Sequence, residues 1–183
     1  THSAGVHELY DAVRGTDKML SPNSSNAEAT GVNRLHSFDS DGFTVDDHNQ
    51  INGSSTNYAS WNWKANGAGS ANTNGSINST VSVNTTAGFS IVGWTGNAVT
   101  GATIGHGLGV KPNMIILKNR GPDGASWQVY HSSLGATKYL QLNSTGTVTT
   151  SNTRWYDTEP TSTVFTTGSS GDVKGDSSGE TFI

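Results

Sequence analysis

Apolar positions along this chain come in short bursts, never in long stripes. Phe89–Trp94 is a run of β-branched and aromatic residues bounded by Gly88 and Gly96, and Met114–Leu117 is apolar on both faces, the pattern of a strand buried between layers. Together they predict two strands of one sheet system joined by a corner of Gly, Thr, Asn and Ala. Before them, Val6–Val13, Lys18–Leu20, Leu35–Phe38 and Phe43–Val45 read as strands, the last two joined by an Asp39–Gly42 turn. Tyr58–Trp63 alternates, with Ala59, Trp61 and Trp63 on one face. After them, Val81–Val83, Trp127–His131, Tyr139–Leu142 (Leu140 and Leu142 inward), Trp155–Tyr156 and Thr163–Phe165 complete the strand set, with a Gly121–Gly124 turn before Trp127. No segment carries helical periodicity long enough to make a stable helix. Strands at intervals of roughly eight to twelve residues predict an all-β fold: an antiparallel β-sandwich of the jelly-roll kind, one module or two related half-modules.

A duplication sharpens this picture. The segment from His7 to Ser24 lies over Trp127 to Ser144 without a gap, matching Tyr10 with Tyr130, Gly15 with Gly135, Lys18 with Lys138, Leu20 with Leu140, Asn23 with Asn143 and Ser24 with Ser144. With small gaps, Phe43 falls on Phe165 and Tyr58 on Phe182. One β-unit used twice is the physical reading. It divides the chain into residues 1–65, the C-terminal part of a first unit; residues 66–80, a Gly/Ser/Asn-rich linker; and residues 81–183, a second unit. Both ends read as cuts in a longer polypeptide.

Composition narrows the function classes. Apolar residues make up 32% and charged residues 13% of the 183-residue chain, with a net charge of −4. Ser, Thr, Asn and Gly supply roughly half of it, a turn- and strand-compatible mixture. The charge balance predicts no nucleic-acid partner, and no apolar run is long enough for a membrane helix, so no membrane insertion is expected. With no cysteine, disulfides and thiolate metal sites are excluded.

The motifs Asp11–Gly15, Ser37–Val45, Tyr58–Ala65, Thr86–Val92, Gly105–Pro112 and Val129–Gly135, in that order, resemble a family of tail-fibre and capsid-appendage proteins of marine bacteriophages, the cyanophages and pelagiphages. The resemblance covers nearly the whole chain. It implies concanavalin- or laminin-G-like β-sandwich modules on a virion surface, with other virion proteins and further copies of itself as partners. It brings no catalytic residues and no cofactor.

Candidate chemistry is sparse. Trp61, Trp63, Trp94, Trp127 and Trp155 lie among Asn, Asp and Thr, the mixture of ring faces and polar groups that sugar binding uses, which makes a host surface glycan a second candidate partner. The competing reading places most of these rings in the core. Asp39 and Asp41, with Asp46 and Asp47 nearby, offer oxygens to Ca²⁺, but the EF-hand spacing is absent and a plain turn is the favoured reading. Gly105–Gly109 lacks the Gly-Lys-Ser/Thr ending of a phosphate loop and is expected to be a tight corner in which His106 caps a backbone group. His131, Ser132 and Asp157 lack a nucleophile elbow. Only four glutamates are present, a poor supply for a glycosidase carboxylate pair. The expectation is therefore a non-enzymatic virion component, with glycan binding as the alternative and polysaccharide degradation as the third choice.

Overall fold

A computed structural model of the chain describes residues 6–121, 124–175 and 178–183. The β-rich bursts become short strands whose ladders are antiparallel throughout. The first part of the chain forms β1 (Leu9–Asp11), β2 (Gly15–Leu20) and β3 (Ala29–Thr30) in one sheet, then the hairpin β4 (Leu35–Phe38) and β5 (Phe43–Val45), and the helical turn α1 (Asn49–Asn52). The second part carries β6 (Ser70–Asn72), β7 (Ser79–Asn84), β8 (Phe89–Thr95), β9 (Thr103–Gly105), β10 (Met114–Leu117), β11 (Gln128–His131), β12 (Lys138–Gln141) and β13 (Thr149–Thr150). It ends with the turn α2 (Asn152–Trp155), β14 (Val164–Thr166), the turn α3 (Gly171–Lys174) and β15 (Thr181–Phe182). Sheet orders are β15-β8-β7-β6, β10-β11-β12-β13 and β14-β9.

β15 ties two of these sheets together. Phe182 pairs with Trp94 of β8, while Ile183 exchanges two backbone hydrogen bonds with Lys118 and Arg120 N–H donates to Thr181, on the continuation of β10. β9 and β14 close over the same interior, and β9 is also bridged by Gly75 and Ile77. The result is one aromatic core drawn from several strands and two helical turns: Trp94, Ile104, Leu117, Tyr130, Trp155, Phe165, Val173 and Phe182. Trp94 stacks on Phe182 at 5.1 Å and meets Phe165 edge-on at 5.6 Å, both favourable aromatic geometries.

The duplication is present as geometry. Leu9 pairs with Leu20, and Val129 with Leu140, 120 positions later. Lys18 pairs with Thr30 and Lys138 with Thr150. The Asn23 side chain accepts from His7 N–H, and the Asn143 side chain accepts from Trp127 N–H, each at 2.9 Å. Arg34 bonds the side chain of Glu8, and Arg154 that of Gln128. Beyond a two-residue gap, α1 with its His48 cap corresponds to α3 with its Ser170 cap. Gly15 and Gly135 both adopt positive φ at the same corner. Residues 6–65 form unit 1, and the remaining described residues unit 2.

Several sequence expectations need correction. Tyr58–Trp63 is irregular and exposed, not a strand, because among the described residues no strand pairs with it to satisfy its backbone. The stretch 66–80, expected as a linker, contains β6 and the first residues of β7. Trp155 ends a helical turn, not a strand. β10 buries only one face, leaving Met114 and Ile116 exposed. Leu142 is exposed, and it is Tyr139 of β12 that packs on the core. In the Gly121–Gly124 turn, Pro122 and Asp123 lie outside the described residues.

Candidate functional site

The five tryptophans divide sharply. Trp94, Trp127 and Trp155 are buried and present no ring face to a sugar, which removes them from the predicted glycan set. Each has a packing reason: Trp94 caps the aromatic core, Trp155 meets Tyr130 edge-on, and Trp127 donates its indole N–H to the Ser21 carbonyl of unit 1 at 3.0 Å. Trp61 and Trp63 are 76% and 67% exposed. Trp63 lies against Phe89 at 6.2 Å, so one ring face rests on β8 while the indole remains largely in solvent. The segment is anchored on both sides. Asn84 donates to the Lys64 carbonyl and Ser82 Oγ accepts from Asn66 N–H, while Tyr58 Oη donates to the Asn49 carbonyl and accepts from Gly53 N–H. Together with exposed Phe38 and Phe43 on the β4–β5 hairpin, unit 1 displays the principal aromatic surface of the described residues.

Asp39 belongs to the hairpin turn. Its two carboxylate oxygens accept from Ser37 Oγ and Thr44 Oγ1, both at 2.8 Å, and these hydroxyls hold its pKa below the usual carboxylate range. Asp41 sits exposed at the turn tip. Among the described residues, no group of three or more acidic or histidine side chains is placed to hold a metal ion.

His106 plays the capping part its Gly-rich surroundings imply. Its Nδ1 accepts from Leu108 N–H at 3.2 Å and its Nε2 lies 3.3 Å from the Thr161 carbonyl, an arrangement that suits the neutral ring with its proton on Nε2. Burial lowers its pKa, and the Thr161 contact only partly offsets that. His131 Nδ1 accepts from Ser133 N–H, and Ser132 Oγ donates to Asn113, so each is engaged in its own turn.

The most built polar site is one the sequence reading passed over. Glu28 of unit 1 receives a two-pronged contact from Arg120 of unit 2, Nε at 2.7 Å and a terminal nitrogen at 2.8 Å, and a third from Arg14 at 3.1 Å. Arg14 also bonds Asp11 at 2.5 Å. Burial alone would raise the Glu28 pKa, but hydrogen bonds from Arg120 and Arg14 overcome it and the net shift is downward. Beside this clasp, fully buried Lys118 donates to the carbonyls of Ala125 and Ser25, at 2.7 and 3.3 Å. Glu28 N–H donates to the Arg120 carbonyl and Gly124 N–H to that of Ser25. In a chain only 13% charged, two arginines converging on one glutamate is a signal, but the 92 positions between Glu28 and Arg120 hide it from any local pattern.

In unit 2 the counterpart of the Ser21–Glu28 loop carries no such clasp among the described residues. Val148 stands where Glu28 stands, and the loop helps line an open depression with Tyr139, Gln141, Ser144, Thr147 and Thr149.

A model of the family described as a domain of unknown function (DUF7483) matches residues 1–182. The chain belongs to that family. No curated protein and no solved structure matches it. Among the described residues, no helix is long and apolar enough to cross a membrane.

Proposed function

We propose that this chain is a non-enzymatic structural module of a bacteriophage particle, a tail-fibre, knob or capsid-decoration element at the virion surface, built from repeated β-units. The observation that carries the reading is the register-for-register duplication, with unit 1 docked on unit 2 through the Glu28–Arg120 clasp and the Trp127–Ser21 bond. Units that repeat and dock through dedicated contacts build extended assemblies in which each contacts its neighbours. The motif resemblance to marine phage appendages supports the same reading. Labelling purified phage particles with an antibody raised against this chain tests it: signal on tail fibres or capsid surface is expected. Detection only in infected-cell lysate, never on particles, overturns it.

A second reading is favoured by the exposure of Trp61 and Trp63 beside Asn62 and Ser60. The module then also grips a host surface glycan, its rings stacking on sugar C–H faces. Binding on a glycan array, lost in Trp61→Ala and Trp63→Ala and kept in Trp94→Phe, is the expected pattern.

A further inference from the structure

Three Asn-Gly pairs occur in the chain: Asn52–Gly53, Asn66–Gly67 and Asn74–Gly75. This dipeptide carries a reaction of its own. With no Cβ to obstruct it, the glycine nitrogen can close on the carbonyl carbon of the asparagine side chain. Closure requires the Asn-Gly peptide to turn until nitrogen and Cγ meet, so a fold that fixes either group suppresses it. Two of the three pairs are fixed. Gly53 N–H donates to Tyr58 Oη, and the Asn52 side-chain amide donates to the Asp46 carbonyl, both at 2.8 Å. Gly75 is bridged to Ile104, where a Cβ would run into the Thr103 carbonyl, and Ser76 N–H donates to that same carbonyl at 3.0 Å. A Cβ built on Gly105 would stand 2.8 Å from the Asn74 carbonyl oxygen, so this peptide is wedged between strands and has no room to turn.

Asn66–Gly67 is held differently. Both residues are exposed, in the turn that leads from the Trp61–Trp63 segment into β6. Asn66 N–H donates to Ser82 Oγ, which anchors the residue on its N-terminal side. Among the described residues, neither its side-chain amide nor the Gly67 N–H meets a hydrogen-bond partner. Gly67 has φ +63°, and a Cβ built there meets no atom within 4 Å.

We infer that Asn66 is a modification site, the position at which the folded chain deamidates in preference to its other two Asn-Gly pairs. The Gly67 nitrogen gives its proton to water and bonds to Asn66 Cγ. The bond from Cγ to the side-chain nitrogen breaks, and that nitrogen leaves as ammonia, carrying a proton returned by water. The succinimide ring so formed takes up a water at either of its carbonyls and opens to aspartate or to isoaspartate. Water is the only co-reactant. The place gives the reaction its consequence, because Asn66 lies at the joint between the two units. Either product puts a negative charge close to the exposed Trp61 and Trp63. Isoaspartate also adds a backbone carbon between the Ser82 anchor and Gly69, where a built Cβ would stand 2.8 Å from the Val81 backbone. The joint that ties the aromatic segment to β7 therefore changes with the age of the chain. The inference needs neither the virion reading nor the glycan reading.

The test incubates the full chain in mildly alkaline buffer, once folded and once in urea, and follows all three asparagines by peptide mapping with mass spectrometry. In the folded chain Asn66 should convert to a pair of products, aspartate and isoaspartate, about tenfold or more faster than Asn52 and Asn74, which react only after local opening. In urea the three rates should converge, because the fold is what separates them. Asn66→Gln should remove the product pair from the folded chain. Folded Asn52 or Asn74 reacting as fast as Asn66 overturns the inference, and so does an Asn66 that stays intact in the folded chain while converting in urea. An equal spread of rates in urea would place the cause in the local sequence and overturn the structural assignment as well.

Discussion

Glycines 15 and 135 hold the same corner of the two units at φ +89° and +75°, a region that costs an L-residue about 1–2 kcal/mol. Gly15→Ala should lose about that amount in urea unfolding. Gly135→Ala should lose more, because its new Cβ would stand 3.3 Å from Glu159. The two buried indoles offer a sharper contrast. Among the described residues Trp155 Nε1 meets no hydrogen-bond acceptor, whereas Trp127 Nε1 donates to Ser21. Replacing either by Phe removes similar volume, but Trp127→Phe also loses a buried hydrogen bond to the Ser21 carbonyl, which keeps Ser24 N–H as its other donor, and should cost about 1 kcal/mol beyond Trp155→Phe. His106 sets a pH dependence. Burial depresses its folded pKa below 6.5, so the unfolded chain binds the proton more readily. Stability is therefore complete above that value and falls as pH drops below it. Urea midpoints at about pH 7 and about pH 5 should separate for the wild type and lie closer together for His106→Gln.

At the level of elements, the junction between units is the decisive contact. Arg120→Ala removes a two-pronged bond to a mostly buried carboxylate and should cost about 2 kcal/mol. Hydrogen exchange should show the loss first in β1–β3, which Glu28 anchors, and leave β11–β12 protected. Exchange that rises uniformly across both units would contradict a local clasp. Acid acts here too. The Glu28 carboxyl is lowered below 4.5, so its contribution is whole above that value and fades as pH falls beneath it. The Glu159 carboxyl, lowered by hydrogen bonds from Lys111 and then Tyr130, adds to the same acid limb within unit 2.

Over the whole molecule, the two units share a plan but not a core. Unit 2 closes nine buried residues into one cluster, while unit 1 has Leu20 and Leu35 as its buried apolar residues and leans on the junction. Unit 1 should therefore open at lower free energy in native-state exchange, ahead of global unfolding. Much of this was legible beforehand. The all-β class, the β4–β5 hairpin with its Asp39–Gly42 turn, β8, β10 and β11, and the duplicated β1–β2 segment all follow from local alternation and turn residues, whereas β3 carries no such signal. The tryptophans were not sortable, because burial of a ring depends on which strand arrives opposite it. Trp94 and Trp63 both sit in aromatic, strand-like runs, yet one meets β15 and the other meets solvent.

Period-two alternation, glycine corners and a 120-residue echo are properties of neighbours along the chain, and backbone sterics convert them directly into strands, turns and a repeated unit. The clasp at Glu28, the core around Trp94 and the uncovered face at Phe43 are properties of pairs far apart in sequence. Only the closure of β9, β14 and β15 over unit 2 decided which apolar residues became core, since burial belongs to a pair of surfaces and not to either one alone.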